Sequence, residues 1–151
     1  MTSPPDELSF RLYSAERDRA DCLRVWREAS RVGHPFLGEA DLDAQERLVG
    51  EHYLAQAETW IAERDGRVLG FIGLLGSFIG GLFVDPAAHG QGVGRALVRH
   101  AASLRGALEV DVYEANTACA FYRRLGFVEQ SRRETDDEGR PLPILRMRWA
   151  G

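Results

Sequence analysis

Lysine is absent from this chain of 151 residues: all 19 of its basic residues are arginine, set against 23 aspartates and glutamates for a net charge of −4. The arginines form no contiguous block, which argues against a dedicated nucleic-acid binder, since such a protein needs a basic face to neutralise phosphates. Cysteine occurs only at Cys22 and Cys119, in no metal-ligand spacing, so neither a disulfide framework nor a cysteine metal site is expected. No apolar run approaches the roughly 20 residues of a membrane span. Residues 1–7 are polar with two prolines and carry no secretory or transit signal, which makes the cytoplasm the expected address. What is present is ample apolar content, 44% of the chain, enough for one packed core. A single domain over residues 1–151 is expected.

Periodicity and breakers place the elements. Residues 9–13 read as a first strand and 15–31 as an amphipathic helix, broken at Gly33-His34-Pro35. Residues 40–57 read as a second helical segment with Leu42, Leu48, Val49 and Tyr53 on or near one face. Asp65-Gly66 signals a hairpin between strands at 59–63 and 68–75. Ser77 turns the chain into a fourth strand, 80–84, which Asp85-Pro86 ends because proline cannot continue a ladder. A helix over 95–104 and a fifth strand over 108–112 follow. Asn116 can cap a short helix running to Leu125, with Gly126 as a left-handed stop. Residues 127–135 and 142–149 form a terminal hairpin. Strands and helices interleave, so the class is α/β or α+β with a mixed sheet.

The most informative stretch is Leu82-Phe83-Val84-Asp85-Pro86-Ala87-Ala88-His89-Gly90-Gln91-Gly92-Val93-Gly94-Arg95-Ala96-Leu97. A strand runs into glycines that open a helix. Glycine lets the backbone approach a ligand closely, and the first helical N–H groups have no partner within the helix. With the positive end of the helix dipole they make an anion site suited to a diphosphate. A Walker loop would end in Gly-Lys-Ser or Gly-Lys-Thr, whereas Arg95-Ala96 stands here. The dinucleotide fingerprint fails as well, because position 95 is arginine where glycine is required. Downstream lies a second motif, Phe121-Tyr122-Arg123-Arg124-Leu125-Gly126-Phe127.

In order and at this spacing, the two motifs resemble those of the GCN5-related N-acetyltransferase (GNAT) family. Its hallmark is Gln or Arg, two residues, Gly, one residue, then Gly or Ala, matched here by His89 to Gly94 with histidine in the first place. Histidine can still donate a hydrogen bond but lacks the permanent charge of arginine. The resemblance implies the GNAT fold, a mixed, twisted central sheet of about seven strands flanked by about four helices. It implies acetyl-CoA as co-substrate, with N–H groups of Gln91, Gly92, Val93, Gly94, Arg95 and Ala96 around the diphosphate and His89 and Gly90 leading into it. Main-chain groups of Leu82, Phe83 and Val84 correspond to the strand that pairs with the pantetheine arm. Asn116 matches a family asparagine that contacts that arm, one residue nearer the tyrosine than usual, and helix capping explains it equally. Within the family the likeness extends to the bacterial YjaB-type branch, regarded as peptidyl-lysine acetyltransferases, through His34-Pro35-Phe36-Leu37, residues 82–86, 135–143 and the end near Trp149.

The implied reaction is acetyl transfer to an amine, of a protein or a small molecule, by direct attack. Coenzyme A leaves as a thiolate, and by resemblance Tyr122 is the general acid: a phenol of pKa near 10 can protonate a thiolate whose thiol has pKa about 8.5. Lacking lysine, the chain cannot acetylate side chains of its own. An acceptor ammonium must also lose a proton, and many relatives supply a carboxylate on the fourth strand for this; here that strand offers Gly80 and Gly81. His34, on the loop between the first two helices, is the acceptor-site candidate. Glu109, Asp111 and Tyr113 alternate onto one side of the fifth strand as a solvated or hydrogen-bonded face, and His52 and His100 read as exposed helix residues. Trp149, Trp26, Phe36 and Tyr53 are aromatics that can border the acceptor pocket; core or rim packing is the first reading for each, and Phe36 and Trp149 are the preferred pocket residues. Cys119 has no adjacent base and is no nucleophile. The rival class is a non-catalytic acetyl-CoA sensor, supported by the missing carboxylate and opposed by Tyr122. Monomer and homodimer both stay open.

Overall fold

The computed structural model describes residues 7–33 and 37–150. His34, Pro35 and Phe36 therefore lie outside the described residues, and with them two of the expected acceptor-site groups. Seven strands form one sheet: β1 (Ser9–Leu12), β2 (Glu58–Arg64), β3 (Arg67–Leu75), β4 (Phe78–Val84), β5 (Leu108–Tyr113), β6 (Val128–Arg133) and β7 (Ile144–Trp149), in the order β1-β2-β3-β4-β5-β7-β6. All neighbours are antiparallel except β4 and β5, so the sheet is mixed, as expected.

Four helices cover it: α1 (Ala15–Gly33), α2 (Glu39–Leu48), α3 (Val93–Arg105) and α4 (Ala118–Leu125). One core cluster joins Cys22, Val25 and Trp26 of α1 and Leu42 of α2 to Ile61, Val68 and Phe71 of the sheet. The other joins Val93, Leu97, Val98 and Ala101 of α3 and Cys119 and Tyr122 of α4 to Ile72, Leu108, Val110 and Met147. The sheet thus has helices on both faces, and β3, at its centre, is buried from Val68 to Leu74.

The Asp65-Gly66 hairpin has positive φ at both residues, 54° and 76°, the pairing a two-residue turn needs. The second helical segment departs from the reading. After α2 the chain makes a π turn, Val49–Tyr53, before a last helical turn, Leu54–Gln56. The wider turn breaks the 3.6-residue period, so Leu48 is 60% exposed while Leu54 is buried in its place. Three carboxylates are also buried among the described residues, Asp18, Asp85 and Asp136. Asp18 accepts both guanidinium arms of Arg11 at 2.7 Å and the Ser14 amide at 2.9 Å, which ties β1 to the start of α1. Asp85 does the equivalent after β4, accepting from the Ala87 amide at 3.0 Å and Arg24 at 3.0 Å.

Candidate active site

The site begins where β4 and β5 part. The two strands pair only through Phe78 with Glu109 and Ile79 with Val110. Beyond Ile79, β3 is the sole strand partner of β4, while β5 is held by β7 along its whole length. The divergence has a local cause. Gly73 pairs with Gly81 and Leu74 with Ile79, so Gly80 is an extra, bulged residue. A bulge bends its strand and raises the local twist. A wedge-shaped gap results, walled on one side by Gly80, Gly81, Leu82, Phe83 and Val84, whose outward main-chain groups lack a neighbouring strand.

At the far end of β4 the glycine turn opens α3. Gly90 and Gly92 both have φ of 80°, a conformation glycine adopts without strain. Gly92 is the N-cap and, having no side chain, leaves the first turn uncapped; the first helical bond is Ala96 N–H to Gly92 O at 3.0 Å. The amides of Val93, Gly94 and Arg95 therefore have no partner within the helix. α3 starts two residues before the expected position, with Gly94 inside it rather than in the turn. His89 donates from Nε2 to the Val84 carbonyl at 3.2 Å, which links the turn to the strand end. Gln91 accepts from Arg64 at 2.8 Å. The uncapped amides and the unpaired run of β4 fit a diphosphate joined to an extended, amide-bearing arm.

Tyr122 stands on α4, which is held against the first turn of α3 by Phe121: the Phe121 ring comes within 3.3 Å of the point a Cβ on Gly94 would occupy. The Tyr122 ring packs edge-on against Phe121 and Phe127, each at 5.0 Å between centroids. Its hydroxyl has no hydrogen-bond partner among the described residues. Burial pushes this phenol well above the ordinary value, and the nearby phenol of Tyr53 pushes it further. Tyr53 belongs to the core on the α1/α2 face, and Tyr122 to the core on the opposite face. Two phenols thus approach each other from opposite sides of the sheet, beside the gap.

Other expected residues fall differently. Asn116 stands one residue before the N-cap of α4, Thr117, which itself makes no side-chain cap; the Asn116 Oδ1 accepts the Ala118 amide at 2.8 Å and so steadies the helix start from outside it. Glu109, Asp111 and Tyr113 do form a hydrogen-bonded face, with Asp111 bridged by Arg146 at 2.7 Å and Tyr113 donating to Asp136 at 3.1 Å. His100 is not an exposed helix residue: its ring stacks on Phe10 at 4.7 Å and meets Trp60 at 4.5 Å, and burial lowers its pKa. Trp149 pairs with Leu108, at the end of β5 away from the divergence, and packs on Phe127 and Gly126, so it does not line the gap. Trp26 is core. Cys119 is buried with its thiol pKa raised by that burial, and its Sγ donates to Tyr113 O. A cavity of about 610 Å³ between Leu12, Tyr13, Arg19 and Glu51 lies by β1, three strands from the gap. No group of acidic, histidine or cysteine residues suited to a metal occurs among the described residues, nor a helix long and apolar enough to cross a membrane.

Sequence reasoning counts Tyr53 among four aromatics that can border the acceptor pocket but prefers core or rim packing for it and gives it no chemical role. The signal was present as three glycines, Gly73, Gly80 and Gly81, in otherwise apolar strands. Such glycines mark the close approach of another group.

Comparison with known proteins agrees with this geometry. Residues 55–129 match the family model described as Acetyltransferase (GNAT) domain. The chain is 39% identical over 127 residues to the peptidyl-lysine N-acetyltransferase YjaB of Salmonella typhimurium, covering 83% of this chain and 87% of that one. It is 37% identical over 141 residues to YjaB of Escherichia coli, covering 91% and 95%. The solution structure of the E. coli protein's apo form superposes with a TM-score of 0.85 over 96% of this chain and 99% of that one, at 34% identity. With the glycine turn, the parted strands and the phenol in one place, the chain belongs to the GNAT acetyltransferase family.

Proposed function

We propose that the chain, as one domain acting in the cytoplasm, transfers the acetyl group of acetyl-CoA to the ε-amine of a protein lysine. The observation that carries this is the gap between β4 and β5, with uncapped helical amides at one end and the Tyr122 hydroxyl beside it. The lysine acceptor is supported by the names of its relatives.

In this reading the free amides of Val93, Gly94 and Arg95 hold the diphosphate of acetyl-CoA, with His89, Gly90, Gln91 and Gly92 shaping the turn; the Gln91 and Ala96 amides, expected to join them, are taken by the Ala88 and Gly92 carbonyls. Main-chain groups of Leu82, Phe83 and Val84 pair with the pantetheine amides, and so align the thioester with the gap. Asn116 orders the start of α4, and through it Tyr122. The neutral amine attacks the carbonyl carbon, the C–N bond forms, and the C–S bond breaks with its electron pair going to sulfur. Tyr122 gives its proton to that sulfur and regains one as the new amide nitrogen loses its own to water. The burial that raises the phenol also disfavours a bare thiolate, which keeps the proton transfer feasible. His34 is the proposed acceptor-side group; an unchanged rate and acidic limb of the pH–rate profile in His34→Ala would dismiss it.

The second reading, an acetyl-CoA sensor, draws on Gly80 and Gly81 standing where relatives carry a carboxylate. Thiol release with lysine peptides, N-terminal amines and polyamines, run beside binding measurements, decides between them. Amine-dependent release with label on lysine is expected. Tight binding without release would establish the sensor.

A further inference from the structure

The space over the β4 bulge is filled from another element. A Cβ on Gly73 would lie 2.3 Å from Tyr53 Oη, on Gly80 2.5 Å and on Gly81 3.3 Å. Gly73 and Gly80 are thus a bed for one phenol, and a side chain on either would displace it; a Cβ on Gly81 would first meet the Phe83 ring, at 2.5 Å. Tyr53 ends the π turn Val49–Tyr53, a local widening of the helix found often at functional sites. Its hydroxyl donates to the Gly73 carbonyl at 3.3 Å. A phenol has one proton to donate, so the oxygen's remaining capacity is as an acceptor.

This oxygen lies at the residue where β4 leaves β5, on the face of the sheet opposite to Tyr122. Burial holds the phenol neutral far into the alkaline range, which rules it out as a base. A neutral acceptor is nevertheless what an incoming amine can use. We infer that Tyr53 positions the acceptor: its Oη accepts an N–H from the amine, fixing the nitrogen beside the bulge so that its lone pair faces the thioester carbon. The inference rests on the acetyl-transfer reading and adds to it the group that orients the nucleophile. It also accounts for glycine at position 80, since a side chain there would collide with the orienting oxygen.

Tyr53→Phe keeps the ring on its bed and removes the oxygen alone. With a lysine peptide as probe, the acceptor KM should rise about 3- to 10-fold, as for loss of one neutral hydrogen bond, while the acetyl-CoA KM stays as in the parent and the melting temperature falls only by the few degrees that losing the bond to Gly73 entails. Gly80→Ala should raise the acceptor KM too. Combined with Tyr53→Phe, its effect should be less than additive, because both act through one oxygen. An unchanged acceptor KM in Tyr53→Phe, or an equal rise in the acetyl-CoA KM, would overturn the assignment while amine-dependent thiol release by the parent still upheld acetyl transfer. A parent that releases no thiol with any amine would overturn both.

Discussion

Phe121 and Gly94 interlock: the ring of the first comes within 3.3 Å of where a Cβ on the second would stand, so the two sequence motifs are joined by direct packing. The contact fixes α4 against the first turn of α3, and hence Tyr122 relative to the glycine turn. Gly94→Val would push these helices apart. Overpacking of this kind costs about 1–3 kcal/mol. The expected outcome is a lower urea midpoint together with weaker coenzyme A binding by calorimetry. Unaltered stability and affinity would show that the packing is slack.

Tyr122→Phe removes a hydroxyl that bonds to nothing among the described residues, so the fold should hold. Turnover should fall by on the order of 100-fold or more, the scale of general acid catalysis, with acetyl-CoA affinity nearly intact. Steady-state kinetics beside calorimetric binding make the test. Equal turnover in the variant would remove Tyr122 from the mechanism.

The pH dependence follows from the same phenol. Its pKa is raised, so the protonated form that acts as the acid persists to higher pH than an ordinary tyrosine's. The rate should climb as the acceptor ammonium loses its proton, with no descending limb from Tyr122 below about pH 10. A decline between pH 8 and 9 in a stable protein would contradict this.

Asp85 links the end of β4 to α1 through Arg24, with its side chain 3% exposed. Burial works to raise its pKa, but the Ala87 amide, Arg24 and Arg67 outweigh it and hold the carboxylate lower than usual. Its stabilisation is therefore complete above the unfolded value of about 4 and fades as pH falls through the folded one. Asp85→Ala should cost about 2–3 kcal/mol at neutral pH, since it strips a charged hydrogen-bond acceptor from buried donors. Urea unfolding should show that gap constant from pH 5 to 8 and narrowing below pH 4.

Much of this molecule was legible in its residues. The glycine turn, the Asp65-Gly66 hairpin and the Gly126 stop each have local chemistry that dictates their conformation, Tyr122 was singled out by family resemblance, and the strand count came from alternation and breakers. What was illegible is long-range. Nothing in the 142–149 segment announces that it inserts between β5 and β6, because strand order is fixed by packing across the sheet. His100 read as a surface group and is taken in by Phe10 and Trp60, partners distant enough in sequence to escape any period. Leu48 and Leu54 exchanged roles because one π turn shifted the register of the helix. Tyr53 was legible only as one of four aromatics that could border the acceptor pocket, although its glycine bed was written in the strands.

An unpaired run of peptide groups is ordinarily a hazard, since a second polypeptide can add a strand to it and begin a polymer. Here that run lies in the middle of the sheet, closed off at Ile79 and Val110 and walled by β5 beyond. In the proposed function that run pairs instead with the amides of the cofactor's own arm. Because β4 is an inner strand rather than an edge, the open peptide groups face into the sheet and not outward toward a second copy of the chain.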